Sequence, residues 1–351
     1  MSKHITATTA ADILAYFPHT LGFDPRESFG FITMNGTRTG ASLRVDIPDE
    51  SVNPSSFAQT VAHYLLSDTN ADGALFLVYT NEPAADPFDF DAKPYKDYAD
   101  AFEIELQRAG IPIRDGWLIT DHGWTSYFCE DADCCTMNPL SDIEDSVLSA
   151  QLVFSGSAKR TTLAEDPAFV GSEDTGRKIH EAAARHEVRN PMDFTEPSMC
   201  EARAAWYEAV GTQPDEASTV QLVSYLQVKP LRDRVMADMI NPAEDEGIYR
   251  AVFMGQHPER PDWSRVDAAE VLLVQLLPYT PTADRAPLFS ALGWLAWYKG
   301  EGSVAAAYLA KAMESEPGYR LAELLDEMLR AGLMAKTATN PSTAYKGGSH
   351  N

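Results

Sequence analysis

Every run of strand-forming residues in this chain lies in its first half. Beyond about residue 157 apolar residues recur only at helical spacing, broken by prolines and Asn-Pro pairs. That change of period demands two parts, and 351 residues are in any case too many for one ordinary core. The expected architecture is an α/β domain over residues 1–156, with a mixed, partly parallel sheet and flanking helices. An all-α domain follows over 157–334. Residues 335–351, rich in Thr, Ser, Gly and Lys, read as a disordered tail.

The strands can be placed one by one. Ser28 to Met34 is followed by Asn35-Gly36, which supplies the positive dihedrals of a two-residue hairpin turn. Thr39 to Ile47 returns, with Leu43, Val45 and Ile47 on one face and Ser42, Arg44 and Asp46 on the other. Asn53-Pro54 is a helix start, a cap and then a first-turn proline. Ala74 to Tyr79 is apolar on both faces, as an interior strand covered by helices must be. A helix through Tyr98, Phe102 and Leu106 stops at Gly110. Ile111 to Thr120 is a further strand, and Asp121-His122-Gly123 turns it into Trp124 to Cys129. Strand–helix–strand–helix–strand implies crossover connections.

In the helical half, Phe289, Leu292, Gly293, Ala305, Leu309 and Ala312, counted back from Pro317, fit the spacing of one tetratricopeptide-like hairpin. The small residues would let two antiparallel helices approach closely. One repeat makes no superhelical groove, so an ordinary helical hairpin explains the same pattern.

Charge narrows the partners. Asp and Glu number 52 against 28 Lys and Arg, a net charge of −24. Such a surface repels phosphate backbones and anionic membranes, and no local basic patch offsets it. The N-terminal residues hold no apolar core of secretory length, and no apolar run approaches a membrane span. Four cysteines in so long a chain are no disulfide framework. A soluble cytoplasmic protein with reduced thiols is expected.

Several blocks together resemble a known family. They are Leu21-Gly22-Phe23-Asp-Pro25-Arg-Glu-Ser28, Leu43-Arg44-Val45-Asp46, Trp124-Thr-Ser126-Tyr127-Phe-Cys129 leading to Cys134-Cys135, Leu295-Ala296-Trp297, and Pro317-Gly318-Tyr319-Arg-Leu321-Ala322. In this order they resemble domain of unknown function 4192 (DUF4192), a mainly actinobacterial family, over residues 12 to 330. The family often places a proline after the paired cysteines, whereas here Thr136 and Met137 precede Asn138-Pro139. The resemblance implies an α/β half followed by a helical half. It implies no reaction.

The densest unusual chemistry is Cys129, Cys134 and Cys135. With His122 they offer thiolate and imidazole ligands for zinc. Adjacent cysteines do not easily share one ion, however, and Glu130, Asp131 and Asp133 disfavour a reactive thiolate. A disulfide between Cys129 and a later cysteine, and a cysteine nucleophile with His122 as base, are the redox and catalytic readings. A packed structural loop is the plainest one.

Arg44 and Asp46 share one strand face about 7 Å apart. They invite a ligand with a carboxylate, phosphate or hydroxyl, bordered by Trp124 and Ser126, or else they form a structural ion pair. The acidic loop Asp86, Asp89, Asp91 lacks the glycine and distal Glu of a calcium loop. His180 and His186 are too far out of helical phase for a zinc-protease pair. Cys200 reads as a core residue. The chain has no dinucleotide fingerprint, phosphate loop or nucleophile elbow. With no complete catalytic constellation, the leading expectation is a non-catalytic binding or scaffold protein that meets a protein partner through its helical half. The alternative is a small-molecule-binding domain or enzyme with its site around Arg44, Asp46, Trp124, Ser126 and the cysteine loop.

Overall fold

The computed structural model describes residues 6–82, 93–129, 137–154, 159 and 163–346. The chain divides between residues 161 and 162 into two compact units. In the first, the order is α1 (Ala10–Leu21), β1 (Ser28–Asn35), β2 (Arg38–Asp46), α2 (Pro54–Leu65), β3 (Gly73–Tyr79), α3 (Lys96–Arg108), β4 (Ile113–Thr120), β5 (Gly123–Ser126), α4 (Ser141–Glu144) and α5 (Val147–Phe154).

The five strands form one mixed sheet in the order β2-β1-β3-β4-β5. β3 and β4 are parallel, and the other neighbouring pairs are antiparallel. The connections β2–α2–β3 and β3–α3–β4 travel the same way along the sheet. Crossovers of one hand therefore lay α2 and α3 on the same face. There Phe29, Phe31 and Phe76 meet Val61, Leu65 and Phe102. On the other face Leu14 and Phe17 of α1 cover Leu75, Leu77, Tyr79 and Trp117.

Local chemistry explains the boundaries. Gly36 takes φ 57° in the hairpin turn and Gly110 takes φ 79° just beyond α3. The Asn53 side chain accepts from Ser56 N–H at 3.1 Å. All seven residues of β3 are buried, as its apolar run requires. β5 is shorter than the expected Trp124–Cys129 strand. The Lys93 ammonium takes the carbonyls of Ser126, Tyr127 and Cys129 at 3.1, 2.6 and 2.9 Å, drawing that backbone out of the ladder.

Helix α1 was not foreseen. A capping box starts it: Thr9 accepts from Asp12 N–H, and the buried Asp12 carboxylate accepts from Thr9 N–H. Burial pushes that carboxyl up, but hydrogen bonds from Thr8, Leu148 and Thr9 outweigh it and hold the group below its ordinary value.

The second unit contains helices: α6 (Glu173–Ala183), α7 (Pro197–Ala209), α8 (Glu216–Leu226), α9 (Lys229–Ile240), α10 (Glu246–Phe253), α11 (Trp263–Leu276), α12 (Ala286–Lys299), α13 (Gly302–Ser315), α14 (Arg320–Arg330) and α15 (Lys336–Thr339). Every residue of α12 is buried. At Gly293 a Cβ would lie 2.9 Å from Leu309 Cγ, so this glycine sets the close approach of α12 and α13.

The segment after Ala335 departs from the disordered tail that was expected. Residues 336–346 form α15 and a turn, with Thr337 and Thr343 buried. Trp263 Nε1 donates to Thr343 O at 3.0 Å, and Tyr345 lies under the Lys299 ammonium at 4.5 Å. The polar composition concealed that an indole N–H and a buried lysine needed these partners.

Candidate functional site

The sequence-based candidates do not come together. Arg44 and Asp46 lie on β2 and Trp124 and Ser126 on β5, the two edges of the sheet. Four strand spacings separate those edges, roughly 19 Å. Arg44 Nη2 pairs with Asp46 Oδ1 at 2.5 Å and donates to Arg26 O at 3.0 Å, while its guanidinium sits 5.9 Å from the Phe23 ring. Its side chain is 9% exposed and that of Asp46 73%, the arrangement of an edge-strand ion pair. The Ser126 carbonyl is held by Lys93. His122 is exposed on the β4–β5 turn, and Cys129 is half-buried. Cys134 and Cys135, like the acidic loop of Asp86, Asp89 and Asp91, lie outside the described residues. Among the described residues, no group of three or more His, Cys, Asp or Glu side chains is placed to hold a metal ion. Cys200 is exposed rather than in the core: it sits in the first turn of α7, with its thiol against Phe194 O at 3.5 Å.

A different place in the first unit has the form of a site. A cavity of about 310 Å³ opens at the carboxyl ends of the parallel strands β3 and β4. That is where open α/β sheets hold ligands, because the loops leaving adjacent strands part there. Leu14, Ala15, Pro18 and His19 of α1 form one wall. Ile143 and Glu144 of α4 line it as well, with Asp24 to Glu27, Tyr79 to Asn81 and Ile119 to Asp121.

The rim is braced. Asn81 Nδ2 donates to Asp121 Oδ2 at 2.8 Å, and Asp121 N–H donates to Asn81 Oδ1 at 2.9 Å, tying the two strand-end loops to each other. Glu27 accepts from Thr80 Oγ1 and from Asn81 N–H, both at 2.8 Å. To do so it holds φ 37°, one of two non-glycine residues with positive φ in the described backbone. The other, Tyr95 at φ 62°, also reaches Thr80 through its hydroxyl. Burial and a hydrogen bond to the Glu82 carboxylate push the Tyr95 phenol up to about 12. Left-handed conformations at such residues cost of order 1–3 kcal/mol each and persist where the surroundings enforce them, commonly at functional sites. Both converge on the residue that follows β3.

The sheet at this end contains unused hydrogen-bonding capacity. Ser28, Tyr79, Ile119 and Trp124 are register partners in one row across β1, β3, β4 and β5, on the α1 face. Ser28 Oγ, the Tyr79 hydroxyl and Trp124 Nε1 are all buried without a hydrogen-bond partner. Orphaned buried donors are uncommon and call for an explanation. Tyr79 lines the cavity, is 7% exposed and stacks on Phe17 at 6.1 Å. Burial, helped by the Asp24 carboxylate, pushes its phenol far up, so the group is a permanent donor. Across the cavity, Lys159 pairs with Asp24 at 2.6 Å. Burial and then Lys159 pull His19 below its ordinary value, against the opposing pull of Asp24.

The site's elements coincide with family signal. The family model for domain of unknown function DUF4192 matches residues 11–335. The chain belongs to the DUF4192 family. The match begins in α1 and runs through every loop of the cavity up to Asp121, so the site is built from DUF4192 sequence throughout. No curated protein and no solved structure matches this chain.

The second unit offers a groove of about 500 Å³ lined by residues of α7 and α8 with His186 and Arg185. His186 Nε2 lies 3.1 Å from Ser224 Oγ. Ser224 is 1% exposed and donates to Gln221 O at 2.7 Å, so its proton is already engaged and it makes no exposed nucleophile. His180 is elsewhere, paired with Asp284 at 2.8 Å.

The residues that matter at the cavity, Glu27, Tyr79, Thr80, Asn81 and Asp121, were not singled out by sequence reasoning. The available signal was positional. Tyr79, Thr80, Asn81 and Asp121 end or follow two strands of a sheet expected to be partly parallel, and Glu27 immediately precedes the first strand.

Proposed function

We propose that this protein is a binding protein whose α/β unit holds a small organic ligand in the cavity at the ends of β3 and β4. The observation that carries the reading is the cavity at the strand ends, lined by Tyr79, whose hydroxyl is buried without a protein partner, and by loops that Glu27 and Tyr95 brace. Leaving such a donor unpaired costs about 1–3 kcal/mol, which a ligand acceptor would recover. A volume of about 310 Å³ suits a small molecule. The test is a thermal-shift and ligand-observed NMR screen of small polar fragments against the full chain and its Tyr79→Phe variant. Hits that shift the wild type and lose effect in the variant support the reading. A screen with no hit dependent on Tyr79 removes it.

A protein partner on the helical unit is the second reading. Met254, Leu333 and Met334 are exposed, and two bonds draw their segments together around Trp297. Lys336 N–H donates to Gly255 O at 2.8 Å, and Trp297 Nε1 donates to Leu333 O at 2.7 Å. A cytoplasmic location is part of the same proposal, supported by the lack, among the described residues, of any helix long and apolar enough to cross a membrane.

A further inference from the structure

The cavity's walls differ along its depth, and the difference constrains what can occupy it. The inner walls are apolar: Leu14, Ala15, Pro18, Ile119, Leu140 and Ile143. Tyr79 lines the cavity too, and its buried hydroxyl has no protein partner. The mouth carries the carboxylates of Asp24, Glu27, Asp121 and Glu144 and the cations of Arg26 and Lys159. Lys159 neutralises Asp24. Among the described residues at the mouth, three carboxylates then stand against one guanidinium, an excess of two negative charges. Two of the three are held in place rather than free to swing away: Glu27 by Thr80 and Asn81, and Asp121 by Asn81. An anionic ligand would meet this local excess inside a molecule of net charge −24, whereas a cation would be attracted by both.

We infer that the cavity takes a small organic cation, an amine or guanidine with an apolar body, whose far end offers a hydrogen-bond acceptor to Tyr79. The inference rests on the reading of the cavity as a ligand site. The cationic group lies at the mouth against Asp121, Glu27 and Glu144, and the apolar body fills the space between α1 and α4. Holding the acceptor against a phenol that does not ionise fixes the direction of entry.

The experiment uses the full chain and two probes of one skeleton, tyramine and 3-(4-hydroxyphenyl)propionate. They share a phenol to accept from Tyr79 and differ in the sign of the outer charge. Binding is measured by titration calorimetry, and location by amide shifts at Tyr79, Asn81, Asp121 and Glu144. Tyramine is expected to bind and to shift those amides, with the carboxylate probe at least tenfold weaker. Glu144 is exposed, so Glu144→Gln leaves the fold intact; it should weaken tyramine roughly two- to fivefold, the size of one exposed ion pair. Equal or tighter binding of the carboxylate probe, at the same amides, overturns the cation class and leaves the cavity standing as a site. Failure of both probes to bind, or shifts confined elsewhere, overturns the class together with the cavity reading.

Discussion

Tyr79 and Tyr127 are both buried phenols in the α/β unit, and they differ in whether the hydroxyl has a protein partner. Tyr127 donates to Pro94 O at 2.6 Å, whereas Tyr79 donates to nothing. Removing Tyr127's oxygen orphans a buried carbonyl and should cost about 1–2 kcal/mol. Removing Tyr79's oxygen deletes an unsatisfied donor, so Tyr79→Phe should leave the ligand-free protein as stable as wild type or more so. Urea denaturation of the two variants checks this. A loss of more than about 1 kcal/mol in Tyr79→Phe would mean that the hydroxyl has a structural partner. Neither phenol's role was legible in the sequence, because a tyrosine in an apolar strand looks the same whether its oxygen is paired or not. Arg44 and Asp46 lie apart from Trp124 and Ser126 for a related reason. Alternation placed them correctly on one face, but alternation says nothing about strand order, and the order puts β2 at an edge.

At the scale of elements, α1 makes the cavity, since it supplies one wall and its position depends on Gly30. A Cβ on Gly30 would lie 2.6 Å from Phe17 Cε1 and 3.3 Å from Leu77 Cβ. Phe17 is fully buried and stacked on Tyr79, so its ring has no free space to enter. Gly30→Ala is expected to destabilise the unit by about 1–3 kcal/mol and to weaken ligand binding as α1 lifts from the sheet. Chemical denaturation read beside fragment binding checks it, and an unchanged midpoint would show that α1 is loosely seated. Most of the sheet and its two crossover helices were legible, since hairpin turns, caps and apolar runs are local signals. The start of α1 was also written, in Thr9 and Asp12, but a capping box in a short polar N-terminal stretch is easily passed over. The folded segment at residues 336–346 was hidden because its order comes from Trp263 and Lys299, far away in the chain.

For the whole molecule, the division of strand-like and helix-like periodicity gave two parts, and the DUF4192 match spans nearly all of both. Function was not legible at this scale, because fold and charge limit partners without naming a site. The rule that open α/β sheets bind at the carboxyl ends of their parallel strands leads to this cavity once β3 and β4 are seen to be the parallel pair. The cavity is the proposed ligand site, with Tyr79 as its hydrogen-bond donor. The most direct test is a crystal structure of the full chain soaked with a fragment that passes the Tyr79-dependent screen. The account predicts the fragment between α1 and α4, with an acceptor within hydrogen-bond distance of the Tyr79 hydroxyl. A fragment bound elsewhere, or a Tyr79 hydroxyl bonded to the protein itself, would contradict it.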